Sequence, residues 1–106
     1  MNSIRYRVLT PPRLETRIKR MDDSQAKKYR EALRMLEIFP LRKLLLLHKV
    51  QKLSYNTYLY RVGIRERILF TQHENTIIVI DIGETQEIVS KITRKIEAQH
   101  HTTTED

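Results

Sequence analysis

Residues 58–83 read YLYRVGIRERILFTQHENTIIVIDIG and hold three strand-like runs separated by short turns. In the first run Tyr58, Tyr60 and Val62 point one way, while Leu59, Arg61 and Gly63 point the other. In the second, Glu66, Ile68 and Phe70 alternate with Arg65, Arg67 and Leu69. Side-chain direction repeats every two residues along a strand, so both runs predict half-buried strands, over 57–63 and 66–72. A charge inside such a pattern is costly to bury without a partner. Arg61 and Arg67 are therefore expected to line a surface that meets an anion. His73-Glu74-Asn75 forms a polar turn, and residues 76–82, TIIVIDI, are apolar on both faces apart from Asp81. That predicts a central strand covered on both sides and ended by Gly83.

Upstream, residues 3–9 alternate, with Ile4, Tyr6 and Val8 on one face and Arg5 and Arg7 on the other. Pro11-Pro12 ends that strand, because proline cannot continue a ladder. Pro12 suits the first turn of a helix, and Leu14, Ile18 and Met21 follow at helical spacing. Asp22-Asp23-Ser24 interrupts the pattern and offers N-cap oxygens to a second helix. Its apolar face carries Tyr29, Ala32, Leu33 and Leu36, and Phe39-Pro40 closes it, since the residue before proline is pushed from helical angles. Residues 41–53, LRKLLLLHKVQKL, fit neither period: a short helix, a strand or a packed loop all remain open.

Downstream, Ile88, Val89, Ile92 and Ile96 predict a short C-terminal helix over 86–98. The polar residues 99–106 read as a tail, its adjacent His100 and His101 included. Strand, helix pair, three strands and a short helix make one α+β domain over residues 1–98. The expected sheet is antiparallel, with the helix pair on one face and the basic residues on the other.

A chain of 106 residues suffices for one core. No apolar run is long enough to cross a membrane, the N-terminus lacks a signal-like apolar region, and there is no cysteine. A cytosolic location is the economical expectation. The net charge of +7 is uneven: residues 1–62 carry 15 Lys/Arg against 5 Asp/Glu, and residues 63–106 carry 5 against 8. Such a balance suggests a polyanionic partner, above all nucleic acid, with an acidic protein as the alternative.

The element order, with YLYRVGIRERILF and IIVIDIGETQEIV, resembles the RelE/ParE superfamily of toxins from toxin–antitoxin modules. The likeness spans roughly residues 4–92. It rests on a strand ending in R-V-G, a short turn, the run Arg67-Ile68-Leu69-Phe70, and a closing strand ending in Ile82-Gly83. The resemblance implies a ribosome-dependent endoribonuclease that cleaves mRNA by attack of the RNA 2′-hydroxyl on the adjacent phosphate. Cationic side chains alone can carry that reaction, so no metal or other cofactor is implied.

By the same resemblance, Arg67 holds the typical catalytic arginine position and Arg61 that of a second basic residue. Lys49 and Lys52 fall where related toxins contact RNA or move the proton, and Arg65 is placed to touch ribosomal RNA backbone. Tyr60, with Tyr55 and Tyr58, is a candidate for base stacking; cross-strand packing is the structural alternative. For Arg67 that alternative is an ion pair with Asp81 or Glu66. Glu66, His48 and His73 are the further candidates for acid or base. The implied partners are mRNA, the ribosome and a cognate antitoxin protein, docked on the apolar faces of 41–50 or the C-terminal helix, with a toxin–antitoxin heterotetramer among the allowed assemblies; a membrane is not implied.

The chain departs from the family pattern at Thr85, where an arginine is frequent, and at Val89, where a tyrosine is. These departures keep a non-nuclease member of the fold in view, such as an inhibitor of DNA gyrase or a decayed toxin. A plain RNA-binding domain is the third expectation.

Overall fold

Pro12 opens helix α1 (Pro12–Arg20) with its fixed φ, as its position after the first strand predicts. Helix α2 (Asp23–Ile38) begins at Asp22, whose side chain accepts a hydrogen bond of 2.8 Å from the Gln25 backbone N–H. Phe39 ends it in an extended conformation ahead of Pro40. The computed structural model describes residues 5–90.

The other elements are β1 (Arg7–Leu9), α3 (Leu41–Leu46), β2 (Val50–Ser54), β3 (Thr57–Arg61), β4 (Glu66–His73) and β5 (Thr76–Glu84). A helical segment, α4, covers residues 85–90. The fold is α+β. Among the described residues no helix is long and apolar enough to cross a membrane.

The expected antiparallel sheet is corrected to a mixed one of five strands in the order β1-β5-β4-β3-β2. β2 through β5 form the antiparallel meander, but β1 pairs in parallel with β5, Val8 facing Ile77. A parallel pair needs a long connection, and here both long helices intervene. The unreadable stretch 41–53 supplies the extra strand and α3. β5 also runs through Gly83 to Glu84 instead of stopping there. Residues 3–4 of the expected first strand, 91–98 of the expected C-terminal helix and the expected tail 99–106 lie outside the described residues.

One face of the sheet meets α1 and α2. Leu14, Ile18, Tyr29, Ala32 and Leu36 pack there against Tyr58, Tyr60, Ile68, Phe70, Ile77, Val79 and Ile82. The opposite face was expected to carry the basic residues. Its centre is instead apolar, because Ile88 of α4 packs on Leu59 and Leu69, with Ile80 beside them.

β1 covers β5 only from Thr76 to Ile78, which leaves the rest of that edge to α1. Arg13 Nη2 donates to Ile80 O and Arg17 Nη2 to Ile82 O, both at 2.8 Å. The two arginines thus occupy edge carbonyls that would otherwise invite another strand. Arg17 Nη1 also meets Asp81 Oδ1 at 3.0 Å.

Tyr29 lies 1% exposed between α2 and the sheet. Burial first, then the charge of Glu66, pushes its phenol from 10.0 up to about 12, with Arg17 opposing and Glu87 and Glu84 adding to the rise. A raised phenol favours folding fully below pH 10 and loses that contribution as pH climbs to 12. Folding stability is therefore expected to fall by on the order of 2–3 kcal/mol across this window from Tyr29. Burial raises Tyr60 as well and adds in the same direction. Urea unfolding at pH 8 and pH 12 checks this: the loss should shrink markedly in Tyr29→Phe, and an unchanged loss would clear Tyr29 of it.

Candidate anion-binding cleft

Arg61 of β3 and Arg67 of β4 are direct cross-strand partners. The Arg61 N–H donates to Lys49 O at 2.8 Å, towards β2 and away from β4. Arg61 and Arg67 are thus a non-hydrogen-bonded pair, the arrangement in which facing side chains come closest. Like charges in that position repel and destabilise. Both lie on the face of Leu59 and Leu69, away from α1 and α2.

Arg67 is braced by the β3–β4 turn. Its Nη1 donates to Gly63 O at 2.8 Å, Glu66 O at 2.9 Å and Ile64 O at 3.3 Å. The turn is held in place by Thr85, whose backbone N–H and Oγ1 both donate to Arg65 O, at 2.8 and 3.0 Å. With Nη1 fixed, the Nε–Nη2 edge of Arg67 is oriented to take a phosphate or carboxylate by two parallel bonds. Arg61 reaches His48 O through Nη2 at 3.5 Å.

α3 brings the remaining groups. It ends in a pair of backward hydrogen bonds, His48 N–H to Leu45 O and Lys49 N–H to Leu44 O, the Schellman arrangement. His48 occupies the left-handed position with φ 58°, a place glycine usually takes because other residues pay about 1–2 kcal/mol there. His48→Gly is accordingly expected to raise stability by roughly 0.5–1 kcal/mol in urea unfolding. A destabilised variant would mean that the imidazole supports the fold.

The closing turn sets His48 and Lys49 beside the arginine pair. The cleft so formed has a volume of roughly 340 Å³ and is lined by His48, Lys49, Val50, Gln51, Leu59, Arg61 and Arg67. None of these lining residues is acidic. Among the described residues the fold therefore gathers three cations and an imidazole without a carboxylate in the lining, which suits an anionic ligand.

The expected site residues divide accordingly. Arg61, Arg67 and Lys49 come together. Lys52 is exposed but faces Tyr58 across the β2–β3 pair, outside the cleft lining. Arg65 lines a separate hollow with Ile64, Glu84, Thr85 and Gln86. Tyr60 is corrected to a core residue: it is 6% exposed beneath the helices and cannot stack on a base. Tyr58 likewise is buried and stacks on Phe70, their centroids 5.6 Å apart. Tyr55 stands exposed at the β2–β3 turn.

The suggested ion pair of Arg67 is also corrected, since Asp81 pairs with Arg17 and Glu66 turns to α2. Partial burial raises the Glu66 carboxyl, yet hydrogen bonds from its own backbone and from Gln25, with the Lys28 charge and the Arg65 backbone, hold it below the usual range. His73, at the far end of β4, lies six residues from Arg67, about 20 Å along a strand. Of the three candidates for proton transfer, only His48 lines the cleft.

No family model matches the chain, and no curated protein matches it.

Proposed function

We propose that the chain is a RelE/ParE-like toxin that cleaves mRNA on the ribosome and is held in check by a cognate antitoxin. The observation that carries this reading is the facing Arg61–Arg67 pair, set with Lys49 and His48 in a cleft lined by no carboxylate. Two guanidinium groups on rigid strands suit a phosphodiester whose non-bridging oxygens gain charge as it reacts.

In the proposed reaction the 2′-oxygen of RNA attacks the adjacent phosphorus and the bond to the 5′-oxygen breaks. A 2′,3′-cyclic phosphate and a 5′-hydroxyl result. His48 accepts the 2′-hydroxyl proton, and the leaving 5′-oxygen takes its proton from solvent water. Arg67 holds the phosphate through its Nε–Nη2 edge, and Arg61 and Lys49 offset the developing charge.

A second reading, a member of the same fold that binds an anionic target without cutting it, draws support from residues 85 and 89. Thr85 is engaged in bracing the turn, and Val89 is exposed and carries no polar group. Tyr60, next to Arg61 in sequence, is buried.

Induced expression, with and without the neighbouring gene, separates the two readings when growth and mRNA 5′ ends are followed together. Growth arrest with new ends inside translated frames, absent in His48→Ala, is the outcome expected of the nuclease. Arrest without new ends would replace it with the second reading.

A further inference from the structure

On the opposite side of the sheet from the cleft, α1 and α2 enclose a groove of roughly 540 Å³. Lys19, Lys27, Arg30 and Arg34 line it, against Asp23 and Glu31. Lys27, Arg30 and Arg34 fall at i, i+3 and i+7 on one stripe of α2, and all are exposed. Arg30 and Arg34 are a like-charged i, i+4 pair, which a helix tolerates only at a cost. Lys27 and Glu31 have the less favourable order for such a pair. No ion pair joins them. Asp23 and Glu31 offset two of the four groove cations, which leaves a net positive stripe with Lys27, Arg30 and Arg34 adjacent.

We infer that this groove is a second polyanion-binding surface, which grips the sugar–phosphate backbone of a nucleic acid segment separate from the one in the cleft. Its cations are long, exposed and in register along one helix, as phosphate contacts require. An acidic amphipathic helix is the less favoured occupant because the groove offers it little apolar surface. Ile18 is fully buried, and Met21 and Ala26 are half-buried. The two basic faces let the chain hold one strand for reaction while anchoring on another. The inference does not depend on whether the cleft is catalytic, because it concerns binding at different residues.

The test is titration of a short 2′-O-methylated oligoribonucleotide, which has no free 2′-hydroxyl to react. The parent should bind it on both faces. Lys27→Ala/Arg30→Ala/Arg34→Ala should bind it in the cleft alone, and Lys49→Ala/Arg61→Ala in the groove alone. In the second variant the residual log K should fall against log salt with a slope of about −2 to −3, at roughly 0.7 per phosphate contact. Retained stoichiometry and slope in the helix variant would overturn the inference. So would a helix variant that loses polyglutamate binding while keeping the oligonucleotide on both faces. Circular dichroism should show both variants folded, since every altered residue is exposed.

Discussion

Arg61→Ala is expected to slow RNA cleavage by about 10²–10³-fold while leaving stability unchanged or slightly higher. Arg61 faces Arg67 at close range, donates one long bond to His48 O and, among the described residues, has no carboxylate partner in the cleft. Its removal relieves a like-charge pair worth a few tenths to about 1 kcal/mol. Arg67→Ala should behave differently. Its Nη1 bonds brace the β3–β4 turn, so this variant should lose cleavage and also about 1–2 kcal/mol of stability. Single-turnover cleavage of a ribosome-bound message, set beside urea unfolding of both variants, checks the pair. An Arg61→Ala chain as active as its parent would remove the cleft from the reaction. A strongly destabilised one would make Arg61 a structural residue.

That separation was half legible in the sequence. Alternation placed Arg61 with Leu59, and Arg67 with Leu69, because a period of two follows from strand geometry alone. It could not say that Tyr58 and Tyr60 face the helices, since aromatic residues suit a core and a binding face equally. Lys52 lies apart from Lys49 for a related reason. Basic residues near one another in sequence do not share a face unless register is known, and the β2–β3 register shifts between Lys52 and Ser54.

Helix boundaries at Pro12, Asp22 and Phe39 were readable because each depends on local backbone chemistry. The run 41–53 was not. It packs a six-residue helix, a left-handed cap and a strand into one stretch, so neither period persists long enough to register. His48 was one of three candidates for proton transfer that nothing in the sequence placed, and the left-handed turn brings it to the cleft. The parallel pairing of β1 with β5 joins segments about seventy residues apart, and nothing local to either encodes it.

Arg17→Ala is expected to give the largest loss of stability, about 2–4 kcal/mol. Asp81 is 5% exposed, and its Oδ1 accepts from Arg17 Nη1 and from the Ile82 N–H, at 3.0 and 2.9 Å. Removing the guanidinium takes the ion pair from a desolvated carboxylate and a donor from the Ile82 carbonyl. Arg17 keeps 39% of its side chain exposed, so water offsets part of the loss and the estimate sits below that for a fully buried pair. Arg17→Lys should recover only part of it, because an ammonium cannot span Asp81 and Ile82 O as the planar fork does. Arg17→Met with Asp81→Asn should recover more than Arg17→Met alone, since the doubly altered chain buries no charge there. Urea unfolding of the series decides the matter. An Arg17→Ala midpoint equal to the parent's would mean that β5 keeps its open edge and its buried carboxylate without help from α1.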